Sequence, residues 1–166
     1  MFRAAIKNSS LLNSPAPLIR FTTATSSFAP RPYSSAKPKP TVHDAIVVPN
    51  SLPAIGPYSK ATKLDNLVFT SGQLPLDPAT NELVGTTIEQ QTRAALNNLH
   101  AVLKSSGSDL SKVLKTTVYL NDIHDYAAMN DVYASFFSHP FPARSAFQVA
   151  KLPKDAKIEI ECIAYS

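Results

Sequence analysis

Two side chains of opposite charge near the C-terminus have the type and spacing to do chemistry. Arg144 begins one strand-like run, and Glu159 lies inside a second such run fifteen residues later. Residues 146–150 and 157–165 flank a proline-containing turn, which predicts a hairpin that brings Arg144 and Glu159 together on adjacent strands. A guanidinium group is a planar donor that matches a carboxylate, and a nearby glutamate can hold a water or move a proton. Taken alone, the two residues favour a structural ion pair over a site.

The elements that would position this pair are four further strands and two helices. The helices are predicted from apolar residues at helical spacing: one opens with a capping-box pattern at Thr86–Glu89 and ends at Gly107, and the other starts after Asp122 and stops at His139-Pro140. The four strands are predicted at 45–48, 58–64, 67–71 and 113–120, with the turn pair Asp65-Asn66 joining the second to the third.

The order of these elements is three strands, a helix, a strand, a helix and two strands. Strands and helices mix without strict alternation, which predicts an α+β fold with a single sheet and two helices packed on one face. In the last strand, Ile158, Ile160, Cys162 and Ala164 would face the helices, whereas Glu159, Glu161, Ile163 and Tyr165 would share the other face. Because that second face mixes carboxylates with apolar groups, it is typical of a subunit interface with functional groups at its edge.

Charge divides the 166 residues into two parts. Residues 1–43 contain six basic and no acidic residues, so ten basic and twelve acidic residues remain in the rest, a net charge of −2. The folded part is therefore not a basic nucleic-acid binder. The acid-free segment, rich in Ser, Thr, Ala and Pro, predicts a mitochondrial transit peptide and linker over residues 1–40 and a folded domain over 41–166. We expect processing between Tyr33 and Ser34 and a location in the mitochondrial matrix. A disordered surface tail is the alternative.

Other site types receive no support from the sequence. The lone Cys162 excludes a disulfide framework and is expected to be a buried, inert thiol. The four histidines lack metal-ligand spacing, the four glycines form no phosphate loop, and no apolar run is long enough to cross a bilayer.

Five blocks in order carry a family resemblance over residues 44–166. They are 55–61 (IGPYSKA), 70–75 (TSGQLP), 115–120 (KTTVYL), 130–133 (NDVY), and 142–145 (PARS) with 159–161 (EIE). The chain resembles the YjgF/RidA (reactive intermediate deaminase A) family, in a mitochondrial, fungal-type form. The resemblance implies a chorismate-mutase-like sheet and a homotrimer with clefts between subunits. It also implies an enamine/imine deaminase that converts products such as 2-aminoacrylate to 2-keto acids and ammonia, without a metal or a cofactor.

The resemblance also assigns roles to residues. Arg144 would bind the substrate carboxylate through a bidentate pair, and Glu159 would hold the water and shuttle protons. Many family members have a cysteine where this chain has Ala146, which argues against thiol chemistry at that position. Hydroxyl, main-chain or amide groups of the pocket would come from Tyr58, Ser71, Gly72 and Asn130.

Each of these four supporting residues has a structural alternative. Ser71 and Gly72 could simply end a strand, Asn130 could face solvent from its helix, and Tyr58 could be a core ring. Two other functions stay open for the whole protein: an endoribonuclease or translation inhibitor, and a non-catalytic trimer that binds a small carboxylate or a protein in a chaperone-like way. The net negative charge of the domain disfavours the endoribonuclease, so we do not expect nucleic acid as a partner. We expect small enamine or imine carboxylates as partners, and no membrane.

Overall fold

A computed structural model describes residues 42–49, 51, 54 and 56–166. The transit peptide predicted for residues 1–40, including the Tyr33/Ser34 processing site, lies outside these residues. No helix in the described part of the chain has the length and apolar character needed to cross a membrane.

The fold is one mixed six-stranded sheet with two helices on one face. Its neighbouring strands follow the order β1-β2-β3-β6-β4-β5, and every pair is antiparallel except β4 with β5. The strands are β1 (Asp44–Ala45), β2 (Ala61–Leu64), β3 (Leu67–Thr70), β4 (Val113–Leu120), β5 (Ala143–Gln148) and β6 (Ile158–Tyr165). The helices are α1 (Ile88–Ser105) and α2 (Tyr126–Ala134). The predicted α+β class and element order are confirmed.

The hairpin predicted between the last two strands is wrong. Strand β5 pairs in parallel with β4, and β6 pairs antiparallel with the other edge of β4, so β4 lies between them. The reason is the α2 connection, because a strand that returns through a crossover helix lies parallel to the strand before it. The turn after β5 then reverses the chain, and β6 fills the edge of β4 that β5 leaves free.

Helix α1 forms largely where its pattern predicts. Thr87 is its N-cap and pairs with Gln90 in a capping box, one residue later than predicted. Gly107 has a φ of 75° directly after the C-cap, a conformation that glycine adopts without a steric cost. The buried face of the helix packs on the sheet through Leu96, Leu99 and Leu103, which are fully buried.

Helix α2 is shorter than predicted at both ends. Asp122 caps a 3₁₀ turn over Ile123–Asp125 instead of the helix itself, and the helix ends at Ala134, before His139-Pro140. Buried aromatic residues continue past that end, because Phe137 is buried and packs against Tyr133 at 4.5 Å between ring centroids. The apolar pattern that predicted a longer helix therefore marks a continuous buried surface and not a continuous helix.

The two faces of the sheet differ as predicted. On β6, Ile158 and Ile160 are fully buried on the helix side, whereas Glu159 and Glu161 lie on the opposite, open side. The open side also presents the large rings of Phe69 and Phe147, both about half exposed in the single chain. No element among the described residues covers this face, which is consistent with the predicted subunit interface.

Candidate active site

The guanidinium group of Arg144 lies against two aromatic rings of α2. Its Cζ atom is 4.6 Å from the centroid of the Tyr133 ring and 5.5 Å from that of Tyr126. Its Nη2 donates a hydrogen bond of 3.0 Å to the Tyr126 hydroxyl. Among the described residues, none of the ion pairs involves Arg144. An arginine held by rings and a hydroxyl keeps its charge available for an external anion.

Tyr133 is a fixed wall of this cluster. Its ring is only 5% exposed, and its hydroxyl shares a hydrogen bond of 2.8 Å with the fully buried hydroxyl of Thr116. Burial raises the pKa of Tyr133, although the Thr116 bond and the Arg144 charge oppose that shift. Thr116 is also the register partner of Arg144, so β4, β5 and α2 together fix the position of the arginine.

A cleft of about 330 Å³ opens beside the guanidinium group. Its walls are mainly apolar, and its polar groups are the Arg144 cation and the Asn130 amide. The residues that line it are Asn130, Tyr133, Ala134, Phe141, Pro142 and Arg144. One cation, one amide and apolar walls suit a small organic carboxylate with an apolar remainder.

Glu159 belongs to a second cluster at the other side of the sheet. Gln73 and Ile160 exchange two backbone hydrogen bonds of 2.8 and 3.1 Å, which hold the segment that follows β3 against β6. This bridge brings Gly72 so close to Glu159 that a Cβ at position 72 would lie 1.9 Å from the carboxylate oxygen Oε1. Glycine at position 72 therefore allows the backbone to approach the Glu159 carboxylate closely, whereas the sequence-based interpretation expected a close approach at the substrate pocket.

The environment of Glu159 raises the pKa of its carboxyl group. Burial raises its pKa above the ordinary glutamate value, and the charge of Glu161 raises it further. A carboxyl group that titrates closer to neutral pH exchanges protons more readily with water and substrate. Glu159 on the open face therefore has the chemical type and the raised pKa of a candidate for proton transfer.

Among the described residues, no hydrogen bond joins Ser71 or Tyr58 to Glu159, and Glu159 does not line the cleft that Tyr58 lines. The Ser71 hydroxyl donates a bond of 2.6 Å to the Ser59 carbonyl, so it serves the local backbone in the single chain. Tyr58 is more exposed than buried, which excludes the core ring considered for it. Tyr58 and Gly72 both line a further cleft of about 360 Å³ beside α1.

The two clusters do not meet within one chain. Arg144 is paired with Thr116 and Glu159 with Tyr119, so they lie two strands and three residue positions apart. Standard strand spacings put their Cα atoms roughly 14 Å apart. They also project to opposite faces of the sheet, Arg144 toward α2 and Glu159 toward the open side. The predicted neighbourhood of Arg144 and Glu159 is wrong for the single chain.

Sequence reasoning missed Tyr126, Thr116 and Phe141 as parts of the arginine cluster. For Tyr126 a signal existed, because it lies four residues before Asn130 and seven before Tyr133, on one helix face. Thr116 carried only the signature of a strand residue. Cys162 is buried as predicted, and desolvation raises the pKa of its thiol to about 11, which makes it unreactive.

Comparison with known proteins gives the family. The model of the endoribonuclease L-PSP family matches residues 48–166. The chain belongs to this family, which is the YjgF/RidA family named above. A RutC family protein of Pyrococcus horikoshii is 49% identical over 74% of this chain and 97% of its own length. The 2-iminobutanoate/2-iminopropanoate deaminase of Capra hircus is 49% identical over 67% of this chain and 81% of its own.

Solved structures of the YjgF/RidA family share the fold. The Escherichia coli YjgF gene product, 42% identical, superimposes with a TM-score of 0.69 over 74% of this chain and 98% of its own. Escherichia coli TdcF, solved with bound serine, is 40% identical and has the same TM-score and coverage. This agreement confirms the single mixed sheet with two helices.

Proposed function

We propose that this protein hydrolyses 2-imino acids, such as 2-iminopropanoate and 2-iminobutanoate, to 2-keto acids and ammonia. The observation that carries the proposal is Arg144, a half-buried cation that has an apolar cleft beside it and no ion-pair partner among the described residues. The family relationship supports it, since relatives from goat, cow and human are named 2-iminobutanoate/2-iminopropanoate deaminase. Serine bound to TdcF supports an amino-acid-like ligand in this fold.

The geometry suggests a division of labour between the two charged residues. Arg144 binds the substrate carboxylate and the apolar walls receive the side chain. Glu159 takes a proton from water as the oxygen bonds to the C=N carbon, and returns it to the nitrogen. Glu159 then moves the hydroxyl proton of this tetrahedral adduct to the nitrogen, so that the C–N bond breaks, ammonia leaves, and the carbonyl of the keto acid forms. An enamine substrate first accepts a proton at carbon and loses one from nitrogen.

This division requires a second copy of the chain. Arg144 and Glu159 face opposite sides of one sheet, so they can contact the same small molecule only across a subunit interface. The open face is the surface available for such an interface, since it presents Phe69, Tyr119 and Phe147 as exposed or partly exposed rings. We therefore infer a homotrimer in which each cleft receives Arg144 from one subunit and Glu159 from the next.

Mixed assembly of two impaired variants tests the shared site. Arg144→Ala and Glu159→Gln are each expected to lower the rate of 2-iminopropanoate deamination by about 10²-fold or more, leaving a small measurable rate. Unfolding and refolding the two variants together in equal amounts should restore activity, because about one quarter of the clefts then receive an intact Arg144 and an intact Glu159. A mixture of Glu159→Gln with Glu159→Ala is the matched control, since no cleft in it regains Glu159.

The outcomes separate the two parts of this proposal. Trimers that form in the mixture without recovering activity would refute the shared cleft. A wild-type protein that releases neither ammonia nor keto acid would refute the deaminase itself. Assaying RNA cleavage with Arg144→Ala in parallel addresses the family's endoribonuclease description, because cleavage that survives this substitution does not come from the arginine cleft.

We also propose a mitochondrial matrix location, on the basis of the acid-free sequence before Asp44. The expected N-terminus of the protein purified from mitochondria is Ser34. Sequencing that N-terminus tests the proposal, and a protein that retains Met1 would refute it.

A further inference from the structure

We propose that Tyr126 is a positioning residue for Arg144, whose hydroxyl orients the guanidinium group so that a free donor edge faces the cleft. This inference rests on the proposed function, because it concerns how that same cleft recognises a carboxylate. It adds a residue that is neither among the predicted site residues nor among the residues that line the cleft.

The two tyrosines beside Arg144 differ in what they can do. Tyr133 is buried and its hydroxyl is occupied by Thr116, so it offers the arginine only its ring face. Tyr126 is 38% exposed and offers both its ring and its hydroxyl oxygen. Within the described part of the chain, that oxygen is the one hydrogen-bond acceptor of the guanidinium group.

The two kinds of contact fix different degrees of freedom. The cation–π contact with the Tyr133 ring holds the guanidinium group at that ring, but it does not depend on which N–H of the group faces the cleft. The hydrogen bond of 3.0 Å to the Tyr126 hydroxyl does select one nitrogen, Nη2, because such bonds weaken steeply away from linearity. Since Tyr126 accepts only one N–H of the fork, the remaining donors are left for a bidentate carboxylate.

The position of Tyr126 is itself tied to the strand that carries Arg144. Tyr126 is the first residue of α2, and its N–H donates to the Ile123 carbonyl of the preceding 3₁₀ turn. The N–H of Ile123 donates in turn to the side chain of Gln148, the last residue of β5, at 3.1 Å. Both ends of the Arg144–Tyr126 bond are thus fixed to β5, as a positioning contact requires.

Tyr126→Phe isolates the hydroxyl, because it keeps the ring and removes the acceptor. We expect the KM for 2-iminopropanoate and the dissociation constant for pyruvate, measured by NMR titration, to rise roughly fivefold, the scale of one hydrogen bond. We expect kcat to change less than about twofold, because the hydroxyl does not touch the reacting atoms. Tyr126→Leu, which also removes the ring, should raise both constants further.

Tyr165→Phe is the matched control. Tyr165 is 40% exposed and has the Lys112 ammonium 5.7 Å from its ring centroid, so the substitution removes a phenol hydroxyl from a similar cation–aromatic contact outside the arginine cleft. Because Tyr165 shares the open face of β6 with Glu159, the oligomeric state of the control is checked in the same samples. We expect it to leave KM and the pyruvate affinity within about twofold of wild type. The thermal midpoints of Tyr126→Phe and Tyr165→Phe should agree closely with that of the wild type, since both tyrosines are partly exposed.

The outcomes distinguish this inference from the proposed function. A wild type that deaminates and depends on Arg144, but whose KM is unchanged by Tyr126→Phe, overturns the inference alone, as do equal effects of Tyr126→Phe and Tyr165→Phe. A wild type that binds pyruvate more tightly than Tyr126→Phe without deaminating imines supports the inference and overturns the enzyme. A wild type that does neither overturns both.

Discussion

Gly72→Ala gives the sharpest test of Glu159, because it perturbs the carboxylate without changing its chemistry. A methyl group at position 72 would lie 1.9 Å from Oε1, 2.6 Å from Cδ and 2.8 Å from Cγ of Glu159. Restoring an ordinary contact of 3.4 Å requires the carboxylate oxygen to retreat by about 1.5 Å. These three atoms all belong to the Glu159 side chain, which can relieve the clash by changing its rotamer, so we expect the fold to survive.

The displacement is large compared with the reach of proton transfer. A general base works at a heavy-atom distance of about 3 Å, and a retreat of this size takes the carboxylate beyond hydrogen-bond range. Misplacing a catalytic group by about 1 Å costs about 10²-fold in rate, or about 2.7 kcal/mol of transition-state stabilisation. We therefore expect Gly72→Ala to lower kcat for 2-iminopropanoate by about 10²-fold, with little change in the affinity for pyruvate.

The double variant shows whether the effect passes through Glu159. If Gly72→Ala acts only by displacing the carboxylate, it should cost almost nothing when Glu159→Gln has already removed proton transfer. Ammonia release by all four proteins, with oligomeric state and thermal midpoint checked in the same samples, provides the measurement. Full activity of Gly72→Ala, or losses that multiply in the double variant, would refute the assignment of Glu159 as the proton-transfer group.

Three other substitutions have defined outcomes. Arg144→Lys keeps the charge but loses the planar fork, so deamination should fall severely with the fold intact, and near-wild-type activity would refute bidentate binding. Glu161→Gln removes a charge that raises the pKa of Glu159, so kcat should change little while the acidic limb of the pH–rate profile moves to lower pH. Asp109→Asn removes a carboxyl group whose pKa is lowered to about 2, mainly by the hydrogen bond from Lys104. A lowered pKa stabilises the fold only while the carboxyl group is ionised, so Asp109→Asn should reduce the free energy of unfolding by less than about 1 kcal/mol near neutral pH. In unfolding experiments this difference from wild type should vanish as the pH falls from about 4 toward 2.

Local features of the fold could be predicted from the sequence, and the pairing of distant strands could not. Strand β4 has its predicted bounds, Val113–Leu120. These bounds could be predicted because the composition and alternation that indicate a strand depend only on neighbouring residues. Whether β5 pairs with β6 depends instead on where α2 returns the chain, and nothing local to either strand records that. The sequence also does not predict which face of β5 packs on the helices. Strand β5 (Ala143–Gln148) has no alternation of apolar and polar residues that would show to which side Arg144 projects.

The site followed the same division. Arg144 and Glu159 could be selected from the sequence by their charge and spacing, and Asn130 by the family resemblance. Tyr126 shares a helix face with Asn130 and Tyr133, but an aromatic residue at the start of a run of apolar residues at helical spacing is normally a core residue, so the sequence predicts a core ring there. Its role depends on a hydroxyl that reaches the guanidinium group only after α2 has packed against β5.

Comparing the predicted β5–β6 hairpin with the observed strand order shows how the observed order suits the proposed chemistry. Had Arg144 and Glu159 been neighbours on adjacent strands, the guanidinium group would have lowered the pKa of the carboxyl group and used its own donors on it. The arginine would then have been satisfied within the chain, and the glutamate would have been a poorer proton carrier near neutral pH. With β4 between them, Arg144 keeps its donors for an external carboxylate and Glu159 keeps a raised pKa from burial and Glu161. In the proposed trimer the substrate is placed between the two groups, so the anchor and the proton carrier act on it without first neutralising each other.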